Sequence, residues 1–167
     1  MTLERRMGEA FNLDDEGWLR HANPLSYMTR FTVLPILVIA FWSRAWLGWY
    51  SVIPVLLGLL WAYVNPRAFQ KPATTKNWLS KGVLGERVWL NRDKISVPDR
   101  HKLAPNVLSL VGGLGLPLLV WGVYAFEVWP TITGLALIYL GKLWFMDRMV
   151  WLYEDMKHVP AYKKWLY

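Results

Sequence analysis

The sequence contains no cysteine. That excludes disulfide bridges, thiolate nucleophiles and zinc held by thiolates. Histidine is scarce: His21, His101 and His158 are the only three, too far apart along the chain to form a ligand motif. No metal site is expected, and the sequence names no cofactor. Walker loop, Rossmann glycine pattern and nucleophile elbow are all missing, as is the many-histidine pattern of membrane di-iron enzymes. Acidic residues are outnumbered, 12 against 19 Lys and Arg, for a formal net charge of +7. A basic chain can bind nucleic acid, but no recognisable nucleic-acid-binding motif accompanies the charge. The cations lie beside apolar runs, where they set membrane topology, so no nucleic-acid partner is expected. The first 20 residues have no apolar core of the kind a secretory signal carries. The first apolar run is expected to act as the insertion signal instead.

Two long apolar blocks are present, Phe31 to Val64 and Val107 to about Trp151, separated by a basic linker. Each block is too long for one membrane crossing and about right for two. Tryptophan occurs 12 times, which suits membrane interfaces, where the indole ring is buried and its N–H stays near water. The expected fold is all-α: one domain over residues 1–167, an integral membrane bundle of about four transmembrane helices arranged as two helical hairpins. The expected spans are about 24–43, 45–64, 106–126 and 130–151, with an interfacial helix in the central cytoplasmic linker, 65–105.

Local signals support these bounds. Asn23-Pro24 is a helix start, Asn capping free N–H groups and Pro favoured at the first position. Pro35 should kink the first span. Ser43-Arg44 reads as a turn, and Asn65-Pro66 as a stop, because the residue before proline disfavours helix. In the linker, Thr75 is placed to cap a helix from Lys76 to about Asn91. Leu79, Val83, Glu86 and Leu90 share one stripe of it. Trp78, Gly82, Gly85 and Trp89 share the next, the glycines permitting close backbone approach. The fourth span is expected to continue as one helix to about His158. Leu3, Met7, Ala10 and Phe11 fall on one face, the spacing of an amphipathic helix lying on a membrane. An even number of spans puts both termini and the linker on one side. The linker carries Arg67, Lys71, Lys76, Lys81, Arg87, Arg92, Lys94, Arg100 and Lys102, whereas the opposite side has only Arg44 and Glu127. The positive-inside rule then makes the termini and linker cytoplasmic.

Charge inside a membrane span is the usual pointer to a site, and here it falls at Arg30, Lys142, Asp147 and Arg148. Lys142 and Asp147 are five residues apart, roughly 140° around a helix, so they cannot pair along it. Any partner of Lys142 must come from another helix. Asp147, Trp151, Glu154 and His158 form one stripe, readable as a metal or proton site or as an ordinary ion-paired face. Glu86 lies on an apolar stripe and needs a cation such as Arg30, Arg87 or Arg148. It is either an anchoring ion pair or, with His21, a candidate catalytic acid or base. His21, Asn23, Arg30, Asn65, Glu86 and Arg148 are expected to surround one polar pocket at the cytoplasmic membrane face. Lys142 is expected deeper.

Several of these residues sit in motifs: His21-Ala22-Asn23-Pro24, Thr29-Arg30, Asn65-Pro66-Arg67 with Phe69, Val83-Leu84-Gly85-Glu86-Arg87 with Trp89, and Lys142 with Trp144-Phe145, Met149 and Tyr153. Over about Trp18 to Tyr153 this pattern resembles DUF6653, a family of small prokaryotic membrane proteins. The resemblance implies a location in the prokaryotic cytoplasmic membrane, the inner one where there are two. It singles out His21, Asn23, Arg30, Asn65, Glu86 and Lys142, and it implies no activity. Three functions fit the sequence. The sequence favours the first, a structural or accessory subunit packed against a larger membrane complex or a second copy, since Trp-rich, glycine-containing helices suit lateral packing. The second is a membrane-surface enzyme acting on a lipid or isoprenoid-like substrate. The third is a protein that binds a lipid or small ligand. The balance leans away from an enzyme, and membrane lipids are expected contacts in every case.

Overall fold

The Asn23 side chain accepts a hydrogen bond from the Leu25 N–H at 2.9 Å, and Pro24 takes the first helical position. The structure, a computed structural model, describes residues 15–167. The amphipathic helix expected at Leu3–Phe11 lies outside the described residues. Helix α1 covers Asp15–His21, α2 Pro24–Arg30 and α3 Val33–Trp42. The single span expected over 24–43 is thus two helices. Pro35 has no N–H to offer the carbonyl four residues back, that of Phe31. The Tyr139 hydroxyl donates to that carbonyl instead, at 2.5 Å. The break expected from Pro35 therefore falls one turn earlier, at the carbonyl the proline leaves free.

Past Ser43 the chain turns through α4, Arg44–Leu47, and a 3-10 turn at Gly48–Ser51 before α5, Val52–Ala68. The second apolar helix begins at Val52 rather than at 45. Gly48 has φ 53 there, a conformation glycine adopts without steric cost. Trp46, Trp49 and Tyr50 around this tip are exposed, as residues at a membrane interface are. At its other end α5 runs through Asn65-Pro66 to Ala68. Side-chain bonds from Asn65 to α2 hold the last turn against the local preference of a residue before proline. Those bonds, and the packing of α3 on α5, fold residues 24–68 back on themselves.

Helix α6, Trp78–Leu90, is capped by Asn77, whose side-chain oxygen accepts from the Ser80 N–H at 2.8 Å. Thr75, the expected cap, has another task. Its hydroxyl donates to the Trp165 carbonyl at 2.7 Å, and its N–H to that of Tyr167 at 2.9 Å, pinning the C-terminal segment under the linker. Helices α7, Leu103–Ala125, and α8, Val128–Met156, form a tight hairpin. Gly115 and Gly134, and Gly141 and Gly112, meet backbone to backbone, and Gly122 rests on Thr131. Helix α7 starts at Leu103, before the expected 106, while α8 runs past 151 as one helix to Met156, close to the expected continuation to about His158. At 29 residues α8 is about 43 Å long, more than the ~30 Å apolar layer of a bilayer. A short α9, Pro160–Lys163, follows.

Every regular element among the described residues is helical. Three stretches are long and apolar enough to cross a membrane: 24–65, 99–125 and 128–156. The best-packed core lies at the polar end, where α6 crosses the second half of α8. Val83, Leu84, Val88, Met146, Met149, Leu152 and Tyr153 are all fully buried there. The linker helix is therefore a covered core element.

Candidate functional site

Arg30 ends α2, and almost every donor it has is engaged. Its Nε donates to the Ser26 carbonyl and to Asn65 Oδ1, both at 3.3 Å. Its Nη2 donates to the His21 carbonyl at 3.2 Å and to Ser26 Oγ at 3.1 Å. Its Nη1 lies 2.6 Å from His21 Nε2. Guanidinium has five N–H donors and no acceptor, so His21 Nε2 is the acceptor and the ring proton sits on Nδ1. One Nη1 hydrogen of Arg30 remains uncommitted. Asn65 completes the group by donating to Thr29 Oγ1 at 2.7 Å. Burial first, then the charges of Arg30 and Lys142, holds the His21 imidazole well below the usual histidine range. It is a neutral ring at physiological pH. The lone pair a base would use is taken by Arg30, so His21 positions the guanidinium.

Glu86 reaches this group from α6. Its two carboxylate oxygens accept from Lys142 Nζ at 3.0 and 3.2 Å. The same carboxylate lies within electrostatic reach of Arg30 and Tyr27. Ser80, on α6, donates to the Ala22 carbonyl at 2.6 Å and fixes the helix against the chain entering α2.

Tyr27, Arg30, Tyr139 and Lys142 also line a cavity of about 290 Å³, whose other walls are apolar and include Phe31, Leu34 and Ile138. Of the polar residues, Lys142 is ion-paired with Glu86, and Tyr27 and Arg30 feel its charge. Two cations against Glu86, with His21 neutral, leave one positive charge. The Tyr27 hydroxyl is buried and has no hydrogen-bond partner, although Tyr27 itself is only 4% exposed. A buried hydroxyl without a partner costs free energy on the order of 1–3 kcal/mol.

The residues singled out from sequence are distributed as follows. His21, Arg30 and Asn65 are joined by direct hydrogen bonds. Glu86 joins them through charge, and its ion-pair partner is Lys142 instead of any of the three arginines considered. Arg87 pairs with Asp15, and Arg148 bonds Asp147 at 2.7 Å beneath Trp151. Helical phase separates the two α8 cations: Lys142 and Arg148 are six residues apart, about 240° around the axis, so only one can face α6. Asn23 is a tether at the edge, capping Leu25 and donating to the Gln70 carbonyl at 2.8 Å. The Asp147–His158 stripe is an ion-paired face, with Glu154 held between Lys81 at 2.5 Å and Lys157 at 2.6 Å. His101 and Arg100 both meet one oxygen of Asp155, at 2.5 and 2.7 Å, and tie the end of the linker to α8. Among the described residues no group of three His, Asp or Glu side chains is placed to hold a metal.

Sequence reasoning missed Tyr27 and Tyr139. The available signal was spacing: each tyrosine precedes a cavity cation by three residues, Tyr27 before Arg30 and Tyr139 before Lys142. Residues three apart on a helix share a face.

Comparison with known proteins gives one match. Residues 2–166 match a family of unknown function, DUF6653, and the chain belongs to that family. The match extends beyond the motif-bearing stretch at both ends. No curated protein and no solved structure matches the chain.

Proposed function

We propose that this DUF6653 member is a ligand-binding membrane protein that holds the singly charged anionic head of a membrane amphiphile between α2, α3 and α8. The observation that carries this is the cavity wall to which Tyr27, Arg30 and Lys142 contribute: a tyrosine whose hydroxyl has no partner and two cations, of which Lys142 alone is ion-paired with Glu86. A carboxylate or phosphodiester oxygen would accept from Tyr27, from the open Arg30 N–H and from Lys142. It would also balance the one excess charge. Apart from Tyr139, whose hydroxyl is tied to the Phe31 carbonyl, the rest of the wall is apolar and suits a hydrocarbon tail.

In this reading the protein crosses a prokaryotic inner membrane four times, with stretch 24–65 crossing twice. Its length of 42 residues and its fold-back support two passages. The basic linker and both termini then lie in the cytoplasm, and the head site lies toward that side. The accessory-subunit reading drew on glycines available for lateral packing. Gly115, Gly122, Gly134 and Gly141 are instead occupied by contacts within the α7–α8 hairpin. The enzyme reading relied on His21 or Glu86 as a base. The imidazole lone pair is committed to Arg30, and the carboxylate is committed to Lys142.

Oleate binding to the purified protein tests the head site. The variant Glu86→Gln/Lys142→Met removes the ammonium without stranding a carboxylate, and its affinity should fall about tenfold or more, the scale of a charge-assisted hydrogen bond. Tyr27→Phe should lose less, about three- to tenfold. Unchanged affinity in the double variant, with its melting temperature preserved, would remove this reading.

A further inference from the structure

A second cavity, of about 370 Å³, lies between α3 and α7, lined by Leu37, Val38, Phe41, Leu119 and Val123 among others. Leu34 lines both this cavity and the one at Arg30. The two spaces are neighbours along α3, where α3 and α7 touch only sparsely. Arg44 stands at the far end. Its Nη2 donates to the carbonyls of Val123 at 2.8 Å and Tyr124 at 2.5 Å, and its guanidinium lies 4.0 Å from the Phe126 ring centroid. Arg44 thereby caps the free carbonyls at the end of α7, and its role is closure of the hairpin tip, not a second head site.

Helix α3, Val33–Trp42, which runs between the Arg30 and Arg44 ends, has 10 residues, about 15 Å of helix or half the hydrocarbon thickness of a bilayer. We propose that the two cavities form one groove for one long hydrocarbon tail, lying along α3 from the Arg30–Lys142 end toward Arg44. The ligand class is then a single-chain, singly charged amphiphile such as a long-chain carboxylic acid. This rests on the head site proposed above. The polar end supplies one excess positive charge, matching one carboxylate. The two spaces share one lining residue, Leu34, and the walls of the distal one are apolar apart from Arg44 and Tyr124 at its far end. The outer face of α5, with Leu56 and Leu60 exposed, lines neither cavity and is covered by ordinary bilayer lipid.

Chain length against groove plugs tests it. Oleate and octanoate would each be titrated, at fixed detergent concentration, into wild type, Val123→Trp and Leu60→Trp. An indole at Val123 fills the distal groove. Oleate affinity should fall about tenfold in Val123→Trp, octanoate affinity should not change, and Leu60→Trp should change neither. Val38→Trp blocks the groove from the opposite wall if Val123→Trp does not fold. Oleate affinity unaffected by a folded plug variant overturns the groove, and so does displacement of oleate by the two-chain phosphatidylglycerol at lower concentration than by a second single-chain acid. The head site fails separately, by octanoate and oleate binding Glu86→Gln/Lys142→Met as tightly as wild type.

Discussion

Gly85→Ala is expected to destabilise the protein more than any other single methyl addition in the linker helix. Gly85 lies on the face of α6 that crosses α8, and a Cβ there would overlap the Met149 backbone carbonyl. A backbone atom in the middle of a long helix cannot move aside as a side-chain end can. Relief therefore requires α6 to lift off α8. That would open the core around Val83, Leu84, Val88 and Met149 and draw Glu86 away from Lys142. The cost should be about 3 kcal/mol or more, at the upper end for overpacking. Gly82→Ala should cost less, because its new methyl meets chiefly the flexible Met146 side chain. Gly113→Ala is the control: nothing lies within 4 Å of its Cβ position, and alanine gains up to about 1 kcal/mol in helix propensity. Thermal melting in one detergent ranks the three. Similar melting of Gly85→Ala and Gly113→Ala would mean that α6 is not docked this closely.

Glu86→Ala should be the most damaging charge removal. It strips Lys142 of its ion-pair partner and Arg30 of a nearby compensating charge. The loss should be about 2–4 kcal/mol, between the small value of an exposed pair and the 3–5 kcal/mol of a fully buried one. Lys102→Ala breaks an exposed pair with Asp99 and should cost well under 1 kcal/mol. Replacing both partners, as in Glu86→Gln/Lys142→Met, should restore much of the stability lost in Glu86→Ala, because the ammonium is no longer left without its carboxylate. Equal melting of Glu86→Ala and Lys102→Ala would place Glu86 in water.

Local chemistry made part of this legible in the sequence. Asn23-Pro24 is a helix start because of what an amide and a pyrrolidine do to the first turn. Glu86 stands out as a carboxylate on an apolar stripe, and Gly82 and Gly85 as close-approach positions. The illegible parts depend on pairs of elements. Pro35 announces a kink, but the break settles at Phe31 because Tyr139, more than a hundred residues away, satisfies that carbonyl. Whether Lys142 or Arg148 meets Glu86 is decided by the rotation of α8 against α6, which the glycine contacts set. Thr75 looks like a cap until the C-terminal segment arrives to claim it. The hydropathy of α7 and α8 shows length but not that their glycines face each other.

Photolabelling tests the head site most directly. A long-chain fatty acid with a diazirine next to the carboxylate would be bound to the purified protein, irradiated, and the labelled positions mapped by mass spectrometry. Labelling should concentrate on the cavity walls at Phe31, Leu34, Ile138 and Tyr139, compete with unlabelled oleate, and disappear in Glu86→Gln/Lys142→Met. Labelling spread over the outer face of α5, around Leu56 and Leu60, and indifferent to competitor and variant, would contradict the proposed site.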